Sequence, residues 1–192
     1  MKLKTTVELF SKMPTLETER LILRKMRPSD RSDMFEYACL DDVTRYLLWQ
    51  PHSDDEYTLQ YLRYIESRYK SGSFYDWAVV LKDGGKMIGT CGFTRFDHES
   101  DCAEIGYVIN PRYRGMGIAA EAAREVVRFG FERLALHRIE ARFMYGNEAS
   151  LRVMQKLGMK FEGYHRDAML VKGSYRTIGV SSILRNEYEK FY

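Results

Sequence analysis

The segment Ile105-Gly106-Tyr107-Val108-Ile109-Asn110-Pro111-Arg112-Tyr113-Arg114-Gly115-Met116-Gly117-Ile118-Ala119-Ala120 limits what this chain can fold into. Ile105 to Ile109 is apolar and rich in β-branched residues, the composition of a buried strand. Pro111 lacks an N–H for a ladder and ends it. Gly115 and Gly117 allow a sharp turn and leave its N–H groups uncovered. A helix starts near Ile118, so its first N–H groups have no internal partner. With the positive end of the helix dipole, those donors make a site for an anion such as a pyrophosphate.

Two familiar phosphate sites fail. A P-loop needs a glycine five residues before a Gly-Lys step and Ser or Thr after it. The Gly85-Lys86 step has Val80 and Met87 at those positions. A dinucleotide fingerprint fits better, because Ala120 is tolerated as the third glycine after Gly115 and Gly117. The several strands and helices that precede it come in the wrong order for that fold.

Arg112-x-x-Gly115-x-Gly117 resembles the acyl-CoA pyrophosphate motif of the GNAT N-acetyltransferase superfamily. It is flanked by Glu104-Ile105-Gly106-Tyr107 and by Glu121-Ala122. Asn147-x-x-Ser150 and Lys156-Leu157-Gly158-Met159 follow, and Thr18-Glu19-Arg20-Leu21-Ile22-Leu23-Arg24 with Asp30 precede. In that order, over roughly residues 15 to 185, these resemble the RimJ/RimL-like branch, the ribosomal-protein alanine acetyltransferases and their relatives.

Composition fits one α/β domain over residues 1–192. The 192 residues are 45% hydrophobic and 30% charged, ordinary for a soluble globular protein. There is no apolar run long enough for a membrane span and no secretory signal, so the expected location is the cytoplasm. Cys39, Cys91 and Cys102 lack CxxC spacing and read as reduced thiols, with no metal site expected. A net charge of +3 is too small to argue for nucleic acid.

The chain begins with an arm, 1–14, to which no structure is assigned. Leu21–Met26 reads as a strand, and Pro28-Ser29-Asp30 starts a helix carrying Met34, Phe35 and Ala38 at helical spacing. Asp41–Trp49 reads as helical, and Ser53 or Asp54 caps a helix that ends at Gly72. Strands follow at Trp77–Leu81, Met87–Phe96 and Cys102–Ile109. Gly89 and Gly92 mark either a bulge or close approach of a ligand backbone. A helix from Ile118 to Leu134 has small residues on one face, and a half-buried strand alternates through Ile139, Ala141 and Phe143. A helix from Asn147 to Gly158, a hairpin over Met159–Leu184 and a short helical tail, 185–192, complete the chain.

The resemblance implies a GNAT fold: a mixed, mostly antiparallel sheet, splayed at its centre and flanked by about four helices. It implies an acetyl-CoA-dependent N-acetyltransferase acting by direct attack, with acetyl-CoA lying in the splay. The main-chain N–H groups of Arg114, Gly115, Met116, Gly117, Ile118 and Ala119 are assigned to the pyrophosphate. Tyr107, Val108 and Ile109 are assigned to the pantetheine arm, with a free N–H near Val108 for the oxyanion. Asn147 matches the family asparagine that contacts pantetheine, and Lys156 is placed to reach a phosphate.

Glu104 matches the family's base, although a merely salt-bridged strand glutamate reads the same way. Many members carry a tyrosine acid seven residues after the asparagine; here that position is Met154. Ser150 matches a serine proposed for that role in RimL-like members, and Tyr145 is a weaker candidate. Tyr46, Trp49, Trp77 and Phe93 are read as walls of an acceptor pocket, and the four histidines as surface or structural. The acceptor is a primary amine. A protein N-terminus, a small-molecule amine or an antibiotic all stay open, as does a non-catalytic CoA-binding module. So does oligomeric state, a homodimer included.

Overall fold

The computed structural model describes residues 3–191. In chain order the elements are α1 (Leu3–Ser11), β1 (Leu16–Glu17), β2 (Leu21–Arg24), α2 (Arg31–Ala38), α3 (Asp41–Thr44) and α4 (Asp55–Lys70). Then come β3 (Asp76–Leu81), β4 (Met87–Asp97), β5 (Cys102–Ile109), α5 (Ile118–Glu132) and β6 (Arg138–Met144). The chain closes with α6 (Glu148–Lys156), β7 (Lys160–Val171), β8 (Ser174–Leu184) and α7 (Arg185–Phe191). The strands form one sheet in the order β1-β2-β3-β4-β5-β6-β8-β7.

Among the described residues there are seven α-helices, where the resemblance implied about four. Part of the difference is α1, in the arm to which the sequence assigns no structure. Phe10 fixes it: the ring is fully buried against Tyr75 at 4.8 Å, Trp77 at 5.8 Å and Phe129 at 6.3 Å. Met1 and Lys2, the rest of that expected arm's start, lie outside the described residues, as does Tyr192 of the tail. The expected helix over Asp41–Trp49 stops at Thr44, and Leu47 and Trp49 then turn inward onto the core.

Every neighbouring pair of strands is antiparallel except one. β5 and β6 run parallel, and they pair only from Cys102–Ile105 to Arg138–Ala141. Beyond that point Gly106–Ile109 pairs with β4 alone and Arg142–Met144 with β8 alone. The sheet opens there, and the backbone edges on either side are free to bind.

Register decides which side chains share a face, because partners across a ladder point the same way. Asp76, Gly92 and Gly106 are consecutive partners across β3, β4 and β5, on the face covered by α2 and α4. Trp77, Cys91 and Tyr107 are partners on the opposite face, which α5 covers. The register of β4 shifts twice, opposite Val79/Val80 and at Phe93/Arg95. Gly89 and Gly92 answer to strand packing here: a Cβ would sit 2.1 Å from the Val108 carbonyl at Gly89 and 2.4 Å from Asp76 Cα at Gly92.

Candidate active site

Two hollows meet at the splay. The first is a cleft of about 580 Å³ between the end of β5, the start of α5 and α6. Gly115 and Gly117 take φ of +80° and +78°, the left-handed region that side chains disfavour, and Gly117 caps α5. Arg114 N–H is bonded to the Pro111 carbonyl at 3.2 Å, which removes it from the expected cradle. Glu121 N–H bonds to Gly117 at 3.0 Å. Between them, the N–H groups of Gly115 to Ala120 have no main-chain partner among the described residues. The Arg114 side chain still lines the cleft, tied to Asp42. Met116 offers only main chain: its side chain is exposed, outside the cleft lining, and its carbonyl accepts from Arg20 Nη1 at 3.0 Å.

The upstream Thr18/Arg20 pair holds this helix start in place. Thr18 Oγ1 lies 2.5 Å and Arg20 Nε 2.7 Å from the Glu121 carboxylate in the first turn of α5. Across the cleft, Asn147 Oδ1 caps α6 by accepting from Ser150 N–H at 3.3 Å, leaving the amide nitrogen free to donate. Lys156 lines the same wall. Tyr107, Val108 and Ile109 form the sheet-side wall. Asn110 N–H donates to Ile88 at 2.8 Å, so by alternation Val108 also directs its N–H at β4. The groups that face the gap belong to Tyr107 and Ile109. The expected oxyanion donor therefore moves by one residue.

The second hollow, about 410 Å³, lies on the α2/α4 side of the sheet. Tyr46 and Trp49 line it, whereas Trp77 and Phe93 do not. Those two are 0% and 2% exposed and pack on Phe10 and each other, with Trp77 Nε1 bonded to the Pro14 carbonyl at 2.8 Å. They are core residues on the α5 face. Their neighbours Asp76 and Thr94 line the hollow. Tyr37, Tyr61 and His52 also line it, and no local spacing signals them or Asp76.

The two hollows share Tyr46, Leu47, Tyr107, Val108, Asn147 and Ser150, and Glu104, two residues from Gly106 on β5, lines the second. Its Oε2 lies 3.3 Å from Arg142 Nε, which in turn contacts Glu140 at 3.1 Å. Burial pushes the Glu104 carboxyl above the ordinary glutamate range, and Arg142 opposes that shift. Ser150 and Tyr107 form a pair: their hydroxyls are 3.0 Å apart, and the Tyr107 hydroxyl is 3.0 Å from the Ser150 carbonyl. The Tyr107 hydroxyl can donate to the carbonyl, and either hydroxyl can donate to the other. Burial raises the Tyr107 phenol far above its usual value. Met154 is buried among the lining residues, and Tyr145 lies exposed against Tyr164, outside both linings. His52 bonds Thr58 at 2.8 Å, and burial lowers its pKa.

The sheet thus splays beside a main-chain cradle, with a half-buried glutamate lining the adjoining cavity. The family profile "Acetyltransferase (GNAT) domain" matches residues 20–160. N-acetyltransferase p20 of Bacillus licheniformis, itself uncharacterised, is 34% identical over 176 residues, 92% of this chain and 99% of that protein. The [ribosomal protein uS5]-alanine N-acetyltransferase of Escherichia coli is 27% identical over 169 residues, 84% of this chain and 86% of its own. A GNAT-family acetyltransferase structure from Bacillus anthracis superposes with a TM-score of 0.79 at 29% identity, covering 90% of this chain and 99% of that one. The chain belongs to the GNAT acetyltransferase family and is an N-acetyltransferase. Among the described residues no helix is long and apolar enough to cross a membrane.

Proposed function

We propose that this enzyme transfers the acetyl group of acetyl-CoA to a primary amine by direct attack within a ternary complex. The observation that carries the reading is that the two hollows adjoin through Tyr107, Val108, Asn147 and Ser150: the Gly115–Ala120 segment, whose N–H groups have no main-chain partner, borders one, and Glu104 lines the other. The cradle fits a diphosphate, which needs many donors and little bulk. The free edge of Tyr107 and Ile109 suits the amide-bearing pantetheine arm, and Asn147 can donate to it from the opposite wall. Acetyl-CoA supplies the activated acetyl thioester.

The residues of the chain handle the protons. Glu104 accepts the proton that the acceptor ammonium must lose, directly or through one water. Its raised pKa makes it a better base, and Arg142 holds it in place. Ser150 gives a proton to the departing sulfur. Tyr107 positions that hydroxyl and polarises it through their mutual hydrogen bond. The Tyr107 or Ile109 N–H facing the gap is placed to donate to the developing oxyanion.

An α-amino group, with a pKa of about 7.7–8.0 against about 10.4 for lysine, asks least of a single glutamate. The relative acting on a ribosomal protein supports an N-terminal acceptor. The cavity, with Tyr37 and Asp76 in its lining, equally supports a small-molecule amine. Thiol release from acetyl-CoA, followed over a panel of N-terminal peptides and small amines, tests the proposal. Turnover with at least one class is expected; tight CoA binding with no turnover over the whole panel would favour a CoA-binding module instead.

A further inference from the structure

Two residues in the lining of the acceptor cavity carry buried polar atoms that the protein leaves unsatisfied. Asp76 Oδ1 and the Tyr37 hydroxyl are both shut from solvent and have no hydrogen-bond partner among the described residues. Both residues line the cavity. Burial, and after it the Asp76 charge, raises the Tyr37 phenol. Buried polar atoms are nearly always paired, and one left unpaired is costly. Two such atoms on residues that line one cavity are explained if a ligand that enters beside them completes them.

The floor between this pair and Glu104 is bare. Asp76, Gly92 and Gly106 are ladder partners across three strands, and Glu104 lies two residues from Gly106. Strand spacing puts Asp76 and Gly106 about 10 Å apart. A side chain at Gly92 would collide with Asp76 itself. The walls are aromatic: His52 sits 5.4 Å from Trp49, 5.0 Å from Tyr57 and 5.5 Å from Tyr61, ring centre to ring centre. Burial keeps His52 below its ordinary pKa and so uncharged at neutral pH. Arg142, the cation in this lining, is beside Glu104 at the other end. A carboxylate among aromatic faces, with no cation next to it, is a setting for an ammonium group.

Within the reading of this cavity as the acceptor site, we infer that Asp76 and Tyr37 form a second subsite that holds a protonated nitrogen of the acceptor. The preferred substrate then carries two basic nitrogens, one acetylated beside Glu104 and the other held at Asp76. A diamine, or an N-terminal residue with a basic side chain, supplies that chemistry. Burial lifts the Asp76 carboxyl to about 7, against the pull of Thr90 and the Trp77 N–H, so an arriving cation draws it to the carboxylate.

Two matched pairs of acceptors test this: hexamethylenediamine against hexylamine, and a tripeptide beginning with lysine against one beginning with norleucine. In the wild type, kcat/KM favours the dibasic member of at least one pair by about tenfold or more, the scale of a hydrogen bond to a charged group. Which pair shows the preference tells the two sources apart. Asp76→Asn brings that ratio close to one, and Tyr37→Phe lowers it. Equal kcat/KM within both pairs would overturn the inference. So would an Asp76→Asn variant that loses both members of a pair alike, which would make the carboxyl structural. If no amine is turned over, the catalytic reading fails separately. Stabilisation by hexamethylenediamine over hexylamine, read by thermal shift with CoA present, then still decides whether the subsite exists.

Discussion

The two hollows of this enzyme are built from different materials. The cleft is made of main chain: its donors are N–H groups exposed by two left-handed glycines and by the start of α5. Side chains around it, Thr18, Arg20 and Asn147 among them, mostly hold helix ends in place. The acceptor cavity is made of side chains that converge from β3, β5, β6, α2, α4 and the loop after α3. A cleft of the first kind serves one invariant ligand and tolerates sequence change. A cavity of the second kind can be retuned by single substitutions.

The contrast predicts where substitutions bite. Glu104→Gln should act most strongly, lowering kcat by about 100-fold or more, the usual contribution of a positioned base. In the wild type, activity needs the Glu104 carboxylate and so declines as pH falls through its pKa. Because burial raises that pKa, the midpoint should lie above the ordinary glutamate value. A pH–rate profile of Glu104→Gln that keeps the same acid limb would remove Glu104 from the role.

Next in size are Ser150→Ala and Tyr107→Phe, each expected to lower kcat about tenfold. Because the two hydroxyls act as one hydrogen-bonded unit, the double variant should be scarcely worse than either single one. Multiplicative losses in single-turnover assays would argue for independent roles.

A smaller effect follows from Asp76 and concerns stability. Its folded-state pKa, about 7, is above the unfolded value, so the protonated form favours the fold. That contribution is complete below the ordinary aspartate pKa and is lost as pH rises through about 7. Asp76→Asn should therefore raise Tm by a few degrees at about pH 8, with the gain shrinking toward about pH 5. An equal gain at both pH values, measured by differential scanning calorimetry, would contradict a buried charge there. Least affected should be Met116→Ala, which alters a side chain outside the cleft lining. Its CoA affinity and kcat should stay within about twofold, inside the range of neutral surface changes.

The same difference in materials decided what the sequence revealed. The strand, turn and helix from Ile105 to Ala120 follow from local rules for proline, glycine and helix starts, as does the Asn147 cap. The cavity depends on register. Trp77 and Phe93 drew attention as aromatics, but a strand shows alternate residues to opposite faces, and their neighbours Asp76 and Thr94 line the cavity. Tyr37, His52 and Tyr61 arrive there from distant parts of the chain, and no local spacing signals that meeting. The helix around Phe10 was hidden for the same reason, since its stability comes from rings on β3, β4 and α5.

The central claim is that a bare main-chain cradle at the start of α5 grips the diphosphate of CoA. Calorimetric titration of CoA into the wild type and into Gly115→Val tests it most directly, with circular dichroism to verify that the variant is folded. A Cβ at Gly115 meets no protein atom within 4 Å, so any loss reflects the turn's conformation and the ligand's space. Saturable binding, weakened about tenfold or more in the folded variant, is the predicted result. No binding to the wild type, or equal affinity in both proteins, would contradict the account.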